Sequence, residues 1–164
     1  MTGVQTCALP IYGIERVAIV DFDVHHGNGT QDIVDGRPGM LYTSTHQYPH
    51  YPGTGSQREN RNGNIHNVPL AGGTEDTQYQ RVFAREVLPE LESFKPQLLL
   101  VSAGFDAHRQ DPLAGLLLTE TTYHWIGAQL RAVADLHCKR RLLSVLEGGY
   151  KDRKSTRLNS SHIP

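Results

Sequence analysis

The sequence predicts an α/β domain in which helices flank a parallel sheet. Short apolar runs alternate with longer segments whose apolar residues recur at helical spacing. The apolar runs are continuous, as in strands that are covered on both faces, and each connection is long enough for a right-handed crossover. The predicted strands are 17–20, 40–44, 98–105 and 142–146, with a further short strand at 65–70.

The first predicted helix is short and covers 29–34, with Thr30 as its N-cap. The segment 45–73, which follows the second strand, contains many Gly, Pro, Asn and His residues, and a loop of this length is usually functional. Its tyrosines and prolines favour an ordered wall over a flexible linker.

Two long helices are predicted over 75–94 and 119–138, because apolar residues recur there at intervals of three and four. Pro89 is expected to bend the first of them, since proline lacks the amide hydrogen that a helix interior needs. We expect the apolar stripes of both helices to pack against the sheet.

Composition limits the classes of partner. The 164 residues are enough for roughly one domain. The 16 Lys and Arg residues balance 17 Asp and Glu residues, so nucleic acid is not an expected partner. No apolar stretch approaches the roughly 20 residues of a membrane helix, and no secretion signal is visible. We therefore expect a cytoplasmic protein without a membrane segment; the oligomeric state leaves no mark on the sequence.

The two ends of the chain can be encoded by one oligonucleotide. ACTGGAGTTCAGACGTGTGCTCTTCCGATC encodes residues 2–11, and its opposite strand encodes Asp152 to Ser161. This sequence resembles a sequencing-library adapter read in both directions. We therefore expect 1–11 and 152–164 to be non-native, and 12–151 to be an internal part of a longer domain.

Polar side chains follow three of the predicted strands. Asp21, Asp23 and His25 follow the first strand on one side by strand alternation. Asp106 follows 98–105, and Glu147 follows 142–146. The carboxyl ends of parallel strands meet at the edge where α/β proteins bind ligands. Carboxylate and imidazole ligands without a thiolate suit a catalytic zinc ion.

Spacing alone leaves a second interpretation open. Asp23, His25 and Asp106 could instead be buried polar residues that satisfy loop amides at strand ends. For Asp111, the proline that follows it favours a structural turn over a ligand role.

Five ordered motifs together are similar to those of the zinc-dependent histone deacetylase superfamily, which includes acetylpolyamine amidohydrolases and acetoin-utilization proteins. The wording of the later motifs resembles the class II and bacterial branch. The resemblance implies an arginase-like fold, here incomplete, and the removal of acetyl groups from lysine or polyamines. The motifs are Asp21 to Thr30, Tyr51 to Gly55, Ser102 to His108, Asp111 to Gly115 and Leu146 to Tyr150.

The resemblance also implies the site residues. His26 matches the second histidine of the first motif, and we expect it to pack behind the ligands. The other matches are Asp23, His25 and Asp106 for Zn²⁺, Tyr150 as the catalytic residue for the oxyanion, Tyr51 and Leu113 for the substrate tunnel, and Asp21, Ser44 and Thr45 for a structural K⁺.

One family feature has no match. Members carry a His-His pair upstream of the first motif as general base and acid, but no histidine precedes Asp21. We therefore expect the parent protein to be a deacetylase and this chain alone to be feebly active and prone to aggregate. Two alternatives stay open: a module that binds acylated amines without cleaving them, and a binuclear manganese ureohydrolase of arginase type.

Overall fold

The computed structural model describes residues 13–150. The segments 1–11 and 152–164, which we expect to be adapter-derived, lie outside the described residues. Within the described range, no helix has both the length and the apolar character that a membrane crossing requires.

A five-stranded parallel sheet forms the centre of the fold, in the order β3-β2-β1-β4-β5. In its register, Asp21 at the end of β1 lies opposite Ser44 of β2 and Ser102 of β4. The carboxyl ends of the three central strands are therefore level with one another. The strands are β1 Val17–Asp21, β2 Met40–Gln47, β3 Ile65–Leu70, β4 Leu98–Ala103 and β5 Leu142–Leu146.

Helices connect the strands. Helix α1 covers Asn28–Val34, α2 covers Asp76–Val82, α3 covers Leu88–Phe94 and α4 covers Glu120–His137, and a single 3₁₀ turn covers Gln57–Glu59.

A π-helical turn at Phe83–Val87 joins α2 to α3, so the two form one helical run. Pro89 lies in the first turn of α3, directly after the wide turn. Proline has no amide hydrogen to offer the carbonyl four residues earlier, and the wider turn accommodates that lost hydrogen bond. The helix is therefore irregular next to Pro89, as predicted, and the irregularity is a π-helical turn.

Side chains of β1 alternate between two hydrophobic clusters, one on each face of the sheet. Ala18 and Val20 pack with the apolar faces of the helical run 76–94 and of α4, which contribute Phe83 and Ile126. Ile19 packs on the opposite face with residues of β2 and β4 and with Val34 of α1. Because both faces are covered, every residue of β1 is buried, as its continuous apolar run predicts.

The predicted fold class is confirmed, and the short strand at 65–70 is present. Three local predictions were wrong. β2 continues to Gln47 because it pairs with β3 along that stretch, so the loop begins later than predicted. β4 ends at Ala103, since the chain then turns towards Asp106. Helix α1 starts at Asn28 with Gly27 at the N-cap and no side-chain cap, so Thr30 lies inside the helix.

Phe83 offers a test of the helix layer. Because its ring is fully buried between the helical run and the sheet, Phe83→Ala should reduce the free energy of unfolding by about 3–5 kcal/mol. Urea denaturation measures the loss. Leu136→Ala is the control, since that side chain is 68% exposed and its truncation should cost under about 0.5 kcal/mol. Equal losses at the two positions would contradict the described packing.

Candidate metal centre

Asp23, His25 and Asp106 converge at the carboxyl edge of the sheet. One ligand atom from each lies within 4.8 Å of the others. His25 Nδ1 is 3.0 Å from Asp23 Oδ1 and 3.1 Å from Asp106 Oδ2. Within residues 13–150, these three side chains are the one group of metal-ligating residues arranged in this way.

Turn geometry, rather than strand alternation, brings Asp23 and His25 together. β1 already ends at Asp21, so the strand alternation predicted for Asp23 and His25 was wrong. Asp21 Oδ1 accepts a hydrogen bond from the Asp23 amide at 3.1 Å, and Asp23 Oδ1 accepts one from the His25 amide at 2.8 Å. Each aspartate thus bonds the amide two residues onward, which folds the chain back on itself.

Asp106 reaches the turn from the neighbouring strand. It follows β4, and its Oδ1 accepts a hydrogen bond from the Val24 amide at 3.0 Å. The carboxylate of Asp106 therefore fixes the turn after β1 as well as facing His25.

Two glycines allow the carboxylates to lie this close. A Cβ at Gly104 would overlap Asp23, and a Cβ at Gly148 would overlap both Asp106 and Asp23. The Gly148 amide also donates to Asp23 Oδ2 at 2.8 Å. The segment after β5 therefore closes one side of the centre with backbone alone.

The site is electrostatically suited to a cation. Asp106 is fully buried, and burial raises the pKa of its carboxyl group. The Asp106 and Asp23 carboxylates against the ring raise the pKa of His25 to about 10. Asp106 Oδ2, although near His25, has no aligned hydrogen-bond donor among the described residues. An orphaned buried carboxylate oxygen beside a second carboxylate and an imidazole fits a divalent metal ion.

Two of the predicted substrate-contact residues lie near the centre. The Tyr51 ring meets the His25 ring edge-on, with centroids 6.1 Å apart, and Tyr51 is 76% exposed. Tyr150 is 57% exposed, and burial together with the nearby Asp106 raises the pKa of its phenol. Leu113 is exposed and is connected to this region through Asp111, which bonds its amide.

The predicted potassium residues are only partly brought together. Asp21 and Ser44 are buried register partners in β1 and β2. Asp21 Oδ2 accepts a hydrogen bond from the Tyr42 hydroxyl. The Thr45 hydroxyl is hydrogen-bonded to that of Tyr79 in the helix layer, on the other side of the strand. The structure does not direct all three side chains to one point.

His26 belongs to a buried polar network next to the ligands. Its Nδ1 is hydrogen-bonded to Thr54 Oγ1 at 2.8 Å and its Nε2 to Gln31 Oε1 at 3.1 Å. Beside it, His46 Nε2 donates to the Gly55 carbonyl at 2.8 Å. Burial lowers the pKa of His46 to about 4, so this imidazole is neutral at pH 7. The network holds the end of the Tyr51 to Gly55 motif.

Glu59 completes that network. Its Oε1 accepts hydrogen bonds from the Gly55 amide at 2.9 Å and the Ser56 amide at 3.0 Å. Although partial burial acts in the opposite direction, these main-chain bonds lower the pKa of Glu59 to about 2. The sequence analysis assigned no role to Gln31, Thr54 or Glu59, because neither a motif nor a periodicity indicates that they contact the histidines.

His50 is a further neighbour of the centre, although none of the motifs assigns it a role. Its ring stacks on that of His25, with centroids 5.2 Å apart and an interplanar angle of 20°. Position in the long loop was its only sequence signal.

A parallel α/β domain with a carboxylate–imidazole cluster at the carboxyl edge of its sheet defines a class of candidate metalloenzyme. A sequence profile described as the histone deacetylase domain matches residues 4–164. The chain belongs to the histone deacetylase family.

Known relatives agree with this assignment. The chain is 46% identical over 143 residues to the chloroplastic histone deacetylase 10 of Oryza sativa subsp. japonica. This alignment covers 85% of the chain and 32% of the rice protein. The crystal structure of the HDA15 HD domain superposes with a TM-score of 0.87 at 37% identity, covering 99% of this chain and 47% of that one. An acetylpolyamine aminohydrolase from Burkholderia pseudomallei gives a TM-score of 0.80 at 30% identity, over 92% and 44% of the two chains. The chain thus spans between a third and a half of these relatives.

Gly148 offers a test of the backbone wall. Gly148→Ala should weaken zinc binding by about 10- to 100-fold, because the new methyl group displaces the Asp106 and Asp23 carboxylates. Competition with a chromophoric chelator measures the affinity. Gly29→Ala is the matched control, since a Cβ there meets nothing within 4 Å. Unchanged affinity in Gly148→Ala would show that the metal binds elsewhere.

Glu59 offers a test of the loop network by pH. The folded protein lowers the pKa of Glu59 from 4.5 to about 2, so its stabilisation is complete above pH 4.5 and is lost as the pH falls towards 2. Glu59→Gln should therefore lower the urea midpoint at pH 7, and the difference from wild type should shrink at pH 3. Exposed Glu86→Gln is the control, since among the described residues that carboxylate has no ion pair. A difference independent of pH would contradict the role of the carboxylate.

Proposed function

We propose that the protein of which this chain is part is a zinc-dependent amidohydrolase that removes acetyl groups from lysine side chains or from polyamines. The observation that carries the proposal is the convergence of the partly buried Asp23 and His25 with the fully buried Asp106 at the carboxyl edge of the sheet. The names of relatives support the reaction class: one is a histone deacetylase and another is an acetylpolyamine aminohydrolase.

Each side chain of the cluster has a distinct part in the proposal. Asp23, His25 and Asp106 would hold the zinc ion, and Gly148 would orient Asp23 through its amide. A zinc ion supplies a Lewis acid that polarises the amide carbonyl and makes water more acidic. Tyr150 would donate a hydrogen bond to the carbonyl oxygen as negative charge develops on it, an interaction that strengthens in the transition state.

The exposed side chains at the same edge suit the substrate. We assign Tyr51 and Leu113 to the walls that cover the apolar stem of an acetyl-lysine or acetylated polyamine. We also propose a structural K⁺ near Asp21, Ser44 and Thr45. Main-chain oxygens would supply most of its ligands, because the Thr45 hydroxyl is hydrogen-bonded to that of Tyr79. A cytoplasmic location is also proposed, although the rice relative is named chloroplastic.

The His-His pair that the resemblance implies as general base and acid has no match in this sequence. The motif histidines, His25 and His26, are occupied by the cluster and by the Thr54–Gln31 network. We therefore propose that the 164-residue chain alone is slower than the complete gene product by the roughly 10²- to 10⁴-fold that a general base contributes.

Tyr150→Phe in the complete gene product tests the reaction. The zinc-loaded wild type should deacetylate acetyl-lysine peptides or N-acetylputrescine, and the variant should lose about 10²- to 10³-fold in kcat with its zinc content unchanged. Steady-state kinetics and elemental analysis measure these effects. Tyr123→Phe is the matched control, because within the described residues the buried Tyr123 hydroxyl has no hydrogen-bond partner.

Metal removal separates the alternatives. A chelator should abolish turnover, and one equivalent of zinc should restore it. Two manganese ions per chain with urea release would favour the ureohydrolase. Tight binding of acetylated amines without turnover by the complete gene product would favour the binding module and overturn the proposal.

A further inference from the structure

Asp111 joins two parts of the chain near the candidate centre. It is buried, and its two carboxylate oxygens accept hydrogen bonds from different main-chain amides. Oδ1 accepts from the Leu113 amide at 3.0 Å, and Oδ2 accepts from the Tyr150 amide at 2.8 Å. One side chain thus holds a residue assigned to the substrate tunnel and the residue assigned to the oxyanion.

The loop that carries Asp111 is itself well anchored. The Asp111 amide donates to the His108 carbonyl at 2.8 Å, and the Arg109 amide donates to the Leu118 carbonyl at 2.8 Å. Asp111 also bonds the amide two residues onward, the turn that Asp and Asn favour. The carboxylate is therefore a fixed acceptor for Tyr150.

Tyr150, by contrast, follows a segment with little side-chain packing of its own. Two hydrogen bonds hold Gly148. Its amide donates to Asp23 Oδ2, and the Phe105 amide donates to its carbonyl at 2.8 Å. Gly149 comes next and has a φ of +140°, in the region that glycine alone adopts easily. After Gly149, the hydrogen bond to Asp111 holds the main chain of Tyr150.

We propose that Asp111 is a positioning residue that fixes the main chain of Tyr150, and with it the phenol, relative to the metal ligands. The inference rests on the proposed function, since the position of the phenol affects the rate only if it meets a reacting carbonyl. Small displacements of a reacting group cost much of its effect, because a hydrogen bond to developing charge depends steeply on distance.

Asp111→Asn separates the two contacts of the carboxylate. An asparagine oxygen can keep the turn bond to Leu113, but its NH₂ group then faces the Tyr150 amide, and two donors cannot bond. Asp111→Ala removes both contacts. Asp76→Asn is the control for a loop-binding aspartate elsewhere in the fold, because Asp76 accepts from the Thr119 amide at 2.9 Å.

The first readout is the Tyr150 amide itself, in the zinc-loaded complete gene product labelled with ¹⁵N-tyrosine. Tyr150→Phe assigns its resonance by removing it. Asp111→Asn should speed hydrogen exchange at this amide by at least about tenfold, whereas Asp76→Asn should leave it unchanged. An unchanged Tyr150 amide in Asp111→Asn overturns the proposal.

The second readout is a double-mutant cycle in acetyl-lysine peptide hydrolysis. Asp111→Asn should lower kcat by about 10- to 100-fold with KM within about threefold and zinc content unchanged. In a Tyr150→Phe background the same substitution should change kcat by less than about twofold, because the phenol through which it acts is gone. A loss that persists in full in that background would show a general structural role and overturn the proposal.

The proposed function and this inference can fail separately. If the zinc-loaded wild type hydrolyses no acetylated amine, the proposed function and the effect on kcat fall. The contact that fixes the tyrosine is then still judged by the exchange of its amide.

Discussion

The pairing of β1 with β4 is the constraint on which the candidate centre depends. Asp21 and Ser102 are register partners, and the Phe22 amide extends the pairing by donating to the Ser102 carbonyl at 3.1 Å. The chain therefore leaves both strands at the same level. Asp106 can then cross to the Val24 amide, which places its carboxylate beside Asp23. A shift of one residue in this register would separate the two carboxylates and invert the faces of β1.

Holding two carboxylates together in a buried site has an energetic cost that the rest of the fold must offset. Burial disfavours the ionised form of Asp106, and the neighbouring Asp23 adds repulsion. The Val24 amide and the His25 ring offset this cost for Asp106 only in part, since the pKa of its carboxyl group stays raised. The amides of His25 and Gly148 favour the ionised form of Asp23. A bound divalent ion would place positive charge beside both carboxylates, so metal binding would also stabilise the fold.

The sequence predicted those features that depend on local patterns. Continuous apolar runs located the strands, and residues that follow strands identified Asp23, His25 and Asp106 as neighbours. Strand alternation was the wrong reason for placing these residues together. The chain turns after Asp21, and hydrogen bonds from main-chain amides to Asp21 and Asp23 place His25. Thr30 failed as an N-cap because Gly27 occupies that position, where a Cβ would overlap Asp21 and Tyr42.

Long-range polar contacts could not be predicted in the same way. Asn67 donates to Gln31 at 2.7 Å across 36 positions, and Tyr150 donates to Asp111 across 39. Hydrogen bonds of this kind follow from the tertiary arrangement, because neither composition nor periodicity indicates which amide a buried carboxylate will accept from. The proline after Asp111 correctly suggested a turn, but it carried no information about Tyr150.

Two anchoring systems meet at the edge of the sheet, and each depends on different parts of the chain. Bonds between the turn after β1 and Asp106 hold the ligand cluster. The network of His26, His46 and Glu59 holds the wall loop. Because few atoms are shared between these systems, the loop that we assign to the substrate wall can change in sequence while Asp23, His25 and Asp106 stay in place. This separation gives a physical reason why one fold can serve family members named for histones and for acetylpolyamines.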